Sequence, residues 1–150
     1  MLEFHFGEKI LKRFDEMEMT VDFPGGTRVD AHFGSFVVGT DQPVANGGEN
    51  TAPSPFELFL ASLATCAGFY VLGFCKMRGI STDGIRLIQR LERDSATKMV
   101  SKVLLEIKLP AGFSQQYASA VVRAAESCLV KKHLENPPAF EVTASIPSAS

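Results

Sequence analysis

The chain has 150 residues, 45% of them apolar and 21% charged, with a formal net charge of −2 at pH 7. That length predicts a single domain, one able to bury about 70% of the surface of its unfolded chain. So small a charge gives no broad field to gather nucleic acid or anionic lipid, and neither is an expected partner.

Residues 1–13 fit either a short strand or a turn of helix. Glu3, Glu8 and Lys9 interrupt their apolar residues, so a secretion-signal core is missing and cytoplasm is the expected compartment. From Met17 to Phe23 the alternation is strict. Met17, Met19, Val21 and Phe23 take one side and Glu18, Thr20 and Asp22 the other, which predicts a half-buried strand. Pro24-Gly25-Gly26 turns the chain. Val29, Ala31 and Phe33 alternate again, and Gly34-Ser35 is a hairpin turn after which Phe36 to Thr40 pairs back. An N-terminal antiparallel meander is expected. Gln42 to Pro53 is polar and glycine-bearing, a connecting loop or a flexible rim beside the next element.

That element is one long helix. Ser54 suits its N-cap, Pro55 the first helical position, and Glu57 completes a capping box. Gly79 suits a left-handed stop, with Lys76 and Arg78 in the last turn where the helix dipole favours cations. No charge falls between Leu58 and Cys75, and the apolar residues run all round the axis. Such a helix is buried on every side or lies in a membrane. Ser62, Thr65, Gly68 and Gly73 dilute the run, so a buried central helix is the reading, with no membrane.

Two more antiparallel strands are expected at Ile85–Glu92 and Met99–Ile107. Ser114 caps a second helix that breaks near Ser127-Cys128, restarts over Leu129–Leu134 and stops at Pro137-Pro138. Phe140 to Ile146 alternates as a last strand. Strands, long helix, strands, helix and strand make an α+β fold of antiparallel sheets around a long central helix. One sheet face covers only one side of that helix, so a homodimer enclosing two of them is expected.

The three cysteines are expected as thiols in a reducing compartment. Cys66 lies mid-helix, with Phe59, Ser62, Leu63, Phe69 and Tyr70 on its face. On its own it reads as a packing residue. Cys75, nine residues on and about 180° round the helix, reads the same way. Cys128 opens a short helix with Lys131 and Lys132 close behind. It reads equally as a cap or as a thiol whose pKa is lowered by the helix end and a cation. His5, His32 and His133 have no ligand spacing and no phosphate-binding glycine loop is present, so neither metal nor cofactor is expected.

The run P-S-P-F-E-L-F-L-A-S-L-A-T-C, followed some sixty residues later by S-C-L-V-K-K-H-L, resembles the OsmC/Ohr superfamily of osmotically inducible and organic hydroperoxide resistance proteins. The G-G-T-R-V-D turn and the T-D-Q-P segment resemble its OsmC-like branch. The resemblance implies an intertwined homodimer that is a thiol peroxidase. Cys66 would be the reactive cysteine and Cys128 the resolving one, with a hydroperoxide as substrate and a dithiol as reductant. Phe59, Phe69 and Tyr70 would line an apolar pocket. The family's activating Arg maps loosely to Arg28. Its Glu would align with Phe56, a departure, and the neighbouring Glu57 falls about 180° from Cys66 on the helix. That departure keeps a second function open, a thiol sensor or a binder of a small lipophilic ligand.

Overall fold

The alternation near the N-terminus builds a sheet. The structure, a computed structural model, describes residues 14–15 and 17–146, so the reading of residues 1–13 lies outside the described residues. Strands β1 (Thr20–Gly25), β2 (Arg28–Phe33) and β3 (Phe36–Thr40) form an antiparallel sheet in that order. Phe33 pairs with Phe36 across the Gly34-Ser35 turn, where Gly34 has a φ of 55° that strains any residue with a Cβ. One expectation fails here. Met19, Val21 and Phe23 are 53%, 52% and 79% exposed. Among the described residues, nothing covers the face they share.

Helix α1 (Pro55–Met77) starts with the predicted capping box. The Ser54 N–H and hydroxyl donate to Glu57 at 2.7 and 2.8 Å, and the Glu57 N–H donates to Ser54 Oγ at 3.4 Å. Its C-terminus is a Schellman motif. The Ile80 N–H donates to the Cys75 carbonyl at 2.9 Å, the Gly79 N–H to that of Lys76 at 3.3 Å, and Gly79 has a φ of 64°.

Hairpin β4 (Arg86–Arg93) and β5 (Val100–Lys108) follows, pairing Leu87 with Ile107, Gln89 with Leu105 and Leu91 with Val103. Its inner face lies over α1, where the Gln89 amide donates to the Leu60 carbonyl at 3.1 Å. Its outer face carries charge, with Arg90 and Glu106 paired at 2.8 Å. Helices α2 (Gln115–Glu126) and α3 (Leu129–Glu135) complete the elements.

The core sits where the three helices meet, in Ala67, Val71, Phe74, Cys75, Val121, Ala124, Ala125 and Cys128. The alanines let the helices approach closely. Burying a side chain such as Val121 contributes about 1.5–3 kcal/mol. The fold is α+β, with two antiparallel sheets and a long helix through the centre.

Within one chain the buried residues of α1 share one side, while Phe56, Phe59, Phe69 and Leu72 are a third or more exposed. One hairpin and α2 cannot wrap a rod of that length. Phe140 to Ile146 alternates as predicted but forms no strand. Phe140, Val142 and Ile146 are 87%, 95% and 94% exposed, and among the described residues no strand pairs with them.

Candidate thiol site

All three cysteines are thiols, and the fold separates their surroundings. Cys75 lies on the buried side of α1, wholly enclosed, and burial pushes its thiol pKa up. Nothing about it differs from a packing residue.

Cys66 sits at mid-length on α1 and is partly exposed. Cys128 is the N-cap of α3 and is 2% exposed. The break between α2 and α3 turns this residue inward onto α1. The Lys131 N–H donates to Cys128 Sγ at 3.4 Å, and the Cys128 thiol points at the Leu63 carbonyl, 4.0 Å away. Cys66 packs against the buried cluster that holds Cys128 and disfavours the Cys128 thiolate, so residues 62 positions apart in sequence are neighbours in the fold.

Of the two readings of Cys128, a cap or a thiol with a lowered pKa, the cap is the one observed, and the pKa is raised. Burial is the largest cause. The backbone N–H groups of Lys131 and Val130 oppose it, and the adjacent Cys66 favours the protonated form. The lysines are exposed and their charge is spent in water, with Lys131 paired to Glu135 at 3.6 Å. Tyr70, one turn after Cys66 and 7% exposed, has its phenol pKa raised, first by burial and then by the nearby Cys66 and Cys128.

The other two candidate residues have different partners. The Arg28 guanidinium pairs with Asp30 at 3.0 Å within its own strand. The Glu57 carboxylate is held in the cap of α1, where the Ser54 N–H and then its hydroxyl keep it below the usual carboxylate range. Neither forms a hydrogen bond or ion pair with the two sulfurs among the described residues. No group of three or more His, Cys, Asp or Glu converges as a metal site among the described residues.

A cleft of about 360 Å³ opens beside the thiol pair, between the helices and hairpin β4–β5. Its walls are Leu63 and Ala67 of α1, Val122 and Ala125 of α2, and Val103 and Leu105 of β5, and Cys128 forms part of them. This is not the aromatic pocket expected from the sequence. Phe59 and Phe69 flank Cys66 on the outer side of α1 and are 36% and 43% exposed. The cleft was missed because it needs the β4–β5 register, which stands Leu105 opposite Gln89 on the face turned to α1.

Two neighbouring thiols, one buried and one partly exposed, thus stand at the junction of a long capped helix and a broken one in an α+β fold. The sequence profile of the OsmC-like proteins matches residues 48–143, which includes both cysteines and more than half of the chain. The chain belongs to the OsmC-like protein family.

Solved structures agree on the fold. One is from Psychrobacter arcticus 273-4, provisionally described as an osmotic stress induced and detoxification response protein. It is 24% identical, with a TM-score of 0.65 over 76% of this chain and 85% of that one. An OsmC-like protein from Mycoplasma pneumoniae is 12% identical, with a TM-score of 0.64 over 82% of this chain and 89% of that one. An organic hydroperoxide resistance protein OsmC from Legionella pneumophila is 21% identical, with a TM-score of 0.52 over 79% and 88% of the two chains. No curated protein matches the sequence significantly.

Proposed function

We propose that this protein is a thiol-dependent hydroperoxide reductase, a single-domain cytoplasmic protein that works as a homodimer. The observation that carries this reading is that partly exposed Cys66 packs against the cluster holding buried Cys128, close enough to act on its protonation. The name of the Legionella relative points to the same chemistry.

In this mechanism the Cys66 thiolate attacks one oxygen of a hydroperoxide. The O–O bond breaks, the alcohol leaves with a proton, and Cys66 becomes a sulfenic acid. Cys128 sulfur then displaces the hydroxyl group, which takes the Cys128 proton and leaves as water. A Cys66–Cys128 disulfide remains. A dithiol returns the pair to thiols by exchange. Burial keeps Cys128 protonated at rest, so it has to give up its proton, to the departing hydroxyl, as its sulfur attacks.

Glu57, committed to its cap, acts here on the helix and not on the thiolate. Arg28 can assist Cys66 only by leaving Asp30 or by acting from the second chain of the dimer. Phe56 in place of a carboxylate and the Arg28–Asp30 pair favour a second reading, a sensor or lipophilic-ligand binder oxidised once per chain.

Turnover separates the two. With cumene hydroperoxide and excess dithiothreitol, the reductase consumes many equivalents per chain and the sensor one at most. Cys66→Ser abolishes consumption, and Cys128→Ser leaves Cys66 to accumulate as sulfenic acid, visible as a mass gain of one oxygen. Unchanged peroxide consumption by Cys66→Ser would overturn the assignment.

A further inference from the structure

The two sulfurs open in different directions. At about 100° per residue, Cys66 lies roughly 80° round α1 from the Leu63–Ala67 edge. That edge forms the cleft wall. Cys66 is not part of that wall; it is partly exposed, and Phe59 and Phe69, near it round the helix, are 36% and 43% exposed. Cys128 contributes to the cleft, and its residue is otherwise closed off, with 2% of its surface exposed. One helix thus stands between two approaches, one to each sulfur.

We infer that the reductant reaches the oxidised protein through the cleft between hairpin β4–β5 and the helices, and opens the disulfide by attacking Cys128, not Cys66. The inference rests on the dithiol reading above and adds the route and the direction of its reductive step.

Exchange at sulfur is an in-line displacement: the attacking thiolate approaches opposite the sulfur that leaves. For attack on Cys128 with Cys66 leaving, the approach is from the cleft side. The reductant thiolate bonds to Cys128 Sγ, the Cys66–Cys128 bond breaks, and Cys66 departs with the electron pair and takes up a proton. The second thiol of the reductant then attacks the reductant's own sulfur in the mixed disulfide. Cys128 is released as a thiol and the reductant leaves as a cyclic disulfide. Two electrons have moved from the dithiol to the protein.

Leaving-group chemistry points the same way. A thiol with a raised pKa is the poorer leaving group, and burial raises that of Cys128. Attack on Cys66 would have to expel it. The walls select for shape. Leu63, Val103, Leu105 and Val122 are aliphatic, with Glu126 and Lys131 also in the lining, so the cleft takes a slim alkyl thiol and excludes a folded protein's surface cysteine.

The test begins from disulfide made with diamide, so that it does not depend on peroxide. Brief exposure to 2-mercaptoethanol, an acid quench and peptide mapping should find the mixed disulfide on Cys128. Val122→Trp and Val103→Trp, on opposite walls and both partly exposed, should each slow reduction by dithiothreitol about tenfold or more. An adduct on Cys66, wild-type reduction rates in both tryptophan variants, or failure of diamide to join the two thiols would each overturn the inference. A disulfide that forms with diamide and opens at Cys128, but does not form with hydroperoxide, would refute the peroxidase and leave the inference standing.

Discussion

A single carboxylate ties together the segments around the start of the central helix. Asp41 is 1% exposed and has no cation beside it among the described residues. It accepts from the hydroxyls of Thr27 at 2.6 Å and Thr51 at 2.8 Å. It also accepts from the backbone N–H groups of Gln42 at 2.8 Å, Thr51 at 2.9 Å and Glu49 at 3.3 Å. These donors, led by the Thr27 hydroxyl, hold its pKa far below the usual carboxylate range, against the opposing effect of burial. The β1–β2 turn and both ends of the loop before α1 are thereby fixed on one side chain, three residues short of the Ser54 cap at Thr51. Asp41→Asn keeps the shape but turns an amide donor toward this ring of donors, and it should destabilise the fold. Because the folded pKa is depressed, the carboxylate's contribution is fully present above the unfolded value of about 3.9 and is lost as pH falls below it. Urea midpoints of the wild type and the variant should therefore lie well apart at pH 7 and converge toward pH 3. A gap of constant width would show that Asp41 matters by shape and not by charge. Nothing in T-D-Q-P signals this role, since its donors come from three separate segments.

Elements were the most legible scale, and the reason is locality. The capping box, the Schellman stop and the two-residue turn at Gly34-Ser35 are each written within a few neighbouring residues. Ser54→Ala removes one side of the box and should cost about 1 kcal/mol of stability. Thermal denaturation checks this, with Ser54→Asp, which restores the acceptor, expected to recover most of the loss. The break between α2 and α3 was legible for the same reason, in Ser127-Cys128. The pairing of Cys66 with Cys128 was not: helical geometry gives no sign that residues 62 apart meet, and only the family resemblance suggested it. Where a local rule met a tertiary effect, the tertiary effect won. The helix start left a cap and a lowered pKa equally open at Cys128, but the inward turn of the break buried the thiol and raised its pKa. Gln89 occupies an apolar phase of β4, yet it is there to hold the hairpin to the Leu60 carbonyl of α1.

At the scale of the whole molecule, one chain leaves too much apolar surface uncovered. The exposed residues fall in three groups: Met19, Val21 and Phe23 on the first sheet, Phe56, Phe59, Phe69 and Leu72 along α1, and Phe140, Val142 and Ile146 at the C-terminal end. All three keep the periodicity of buried elements, two for the strand and 3.6 for the helix. A lone monomer rarely shows contiguous apolar area on that scale. Phe59 and Phe69 of the α1 flank lie near Cys66 round the helix, so whatever covers them shapes the approach to that sulfur. In the proposed homodimer a second copy of the chain would supply a sheet to lie over the exposed flank of α1 and a strand neighbour for residues 140–146. Light scattering should accordingly give a mass of twice 16.3 kDa, stable on dilution. Phe69→Lys, which sets a charge in the middle of the exposed flank, should break the pair into monomers or drive it to aggregate. A particle of 16.3 kDa from the unmodified chain, staying soluble at high concentration, would leave those periodic faces in water and overturn the two-chain assembly.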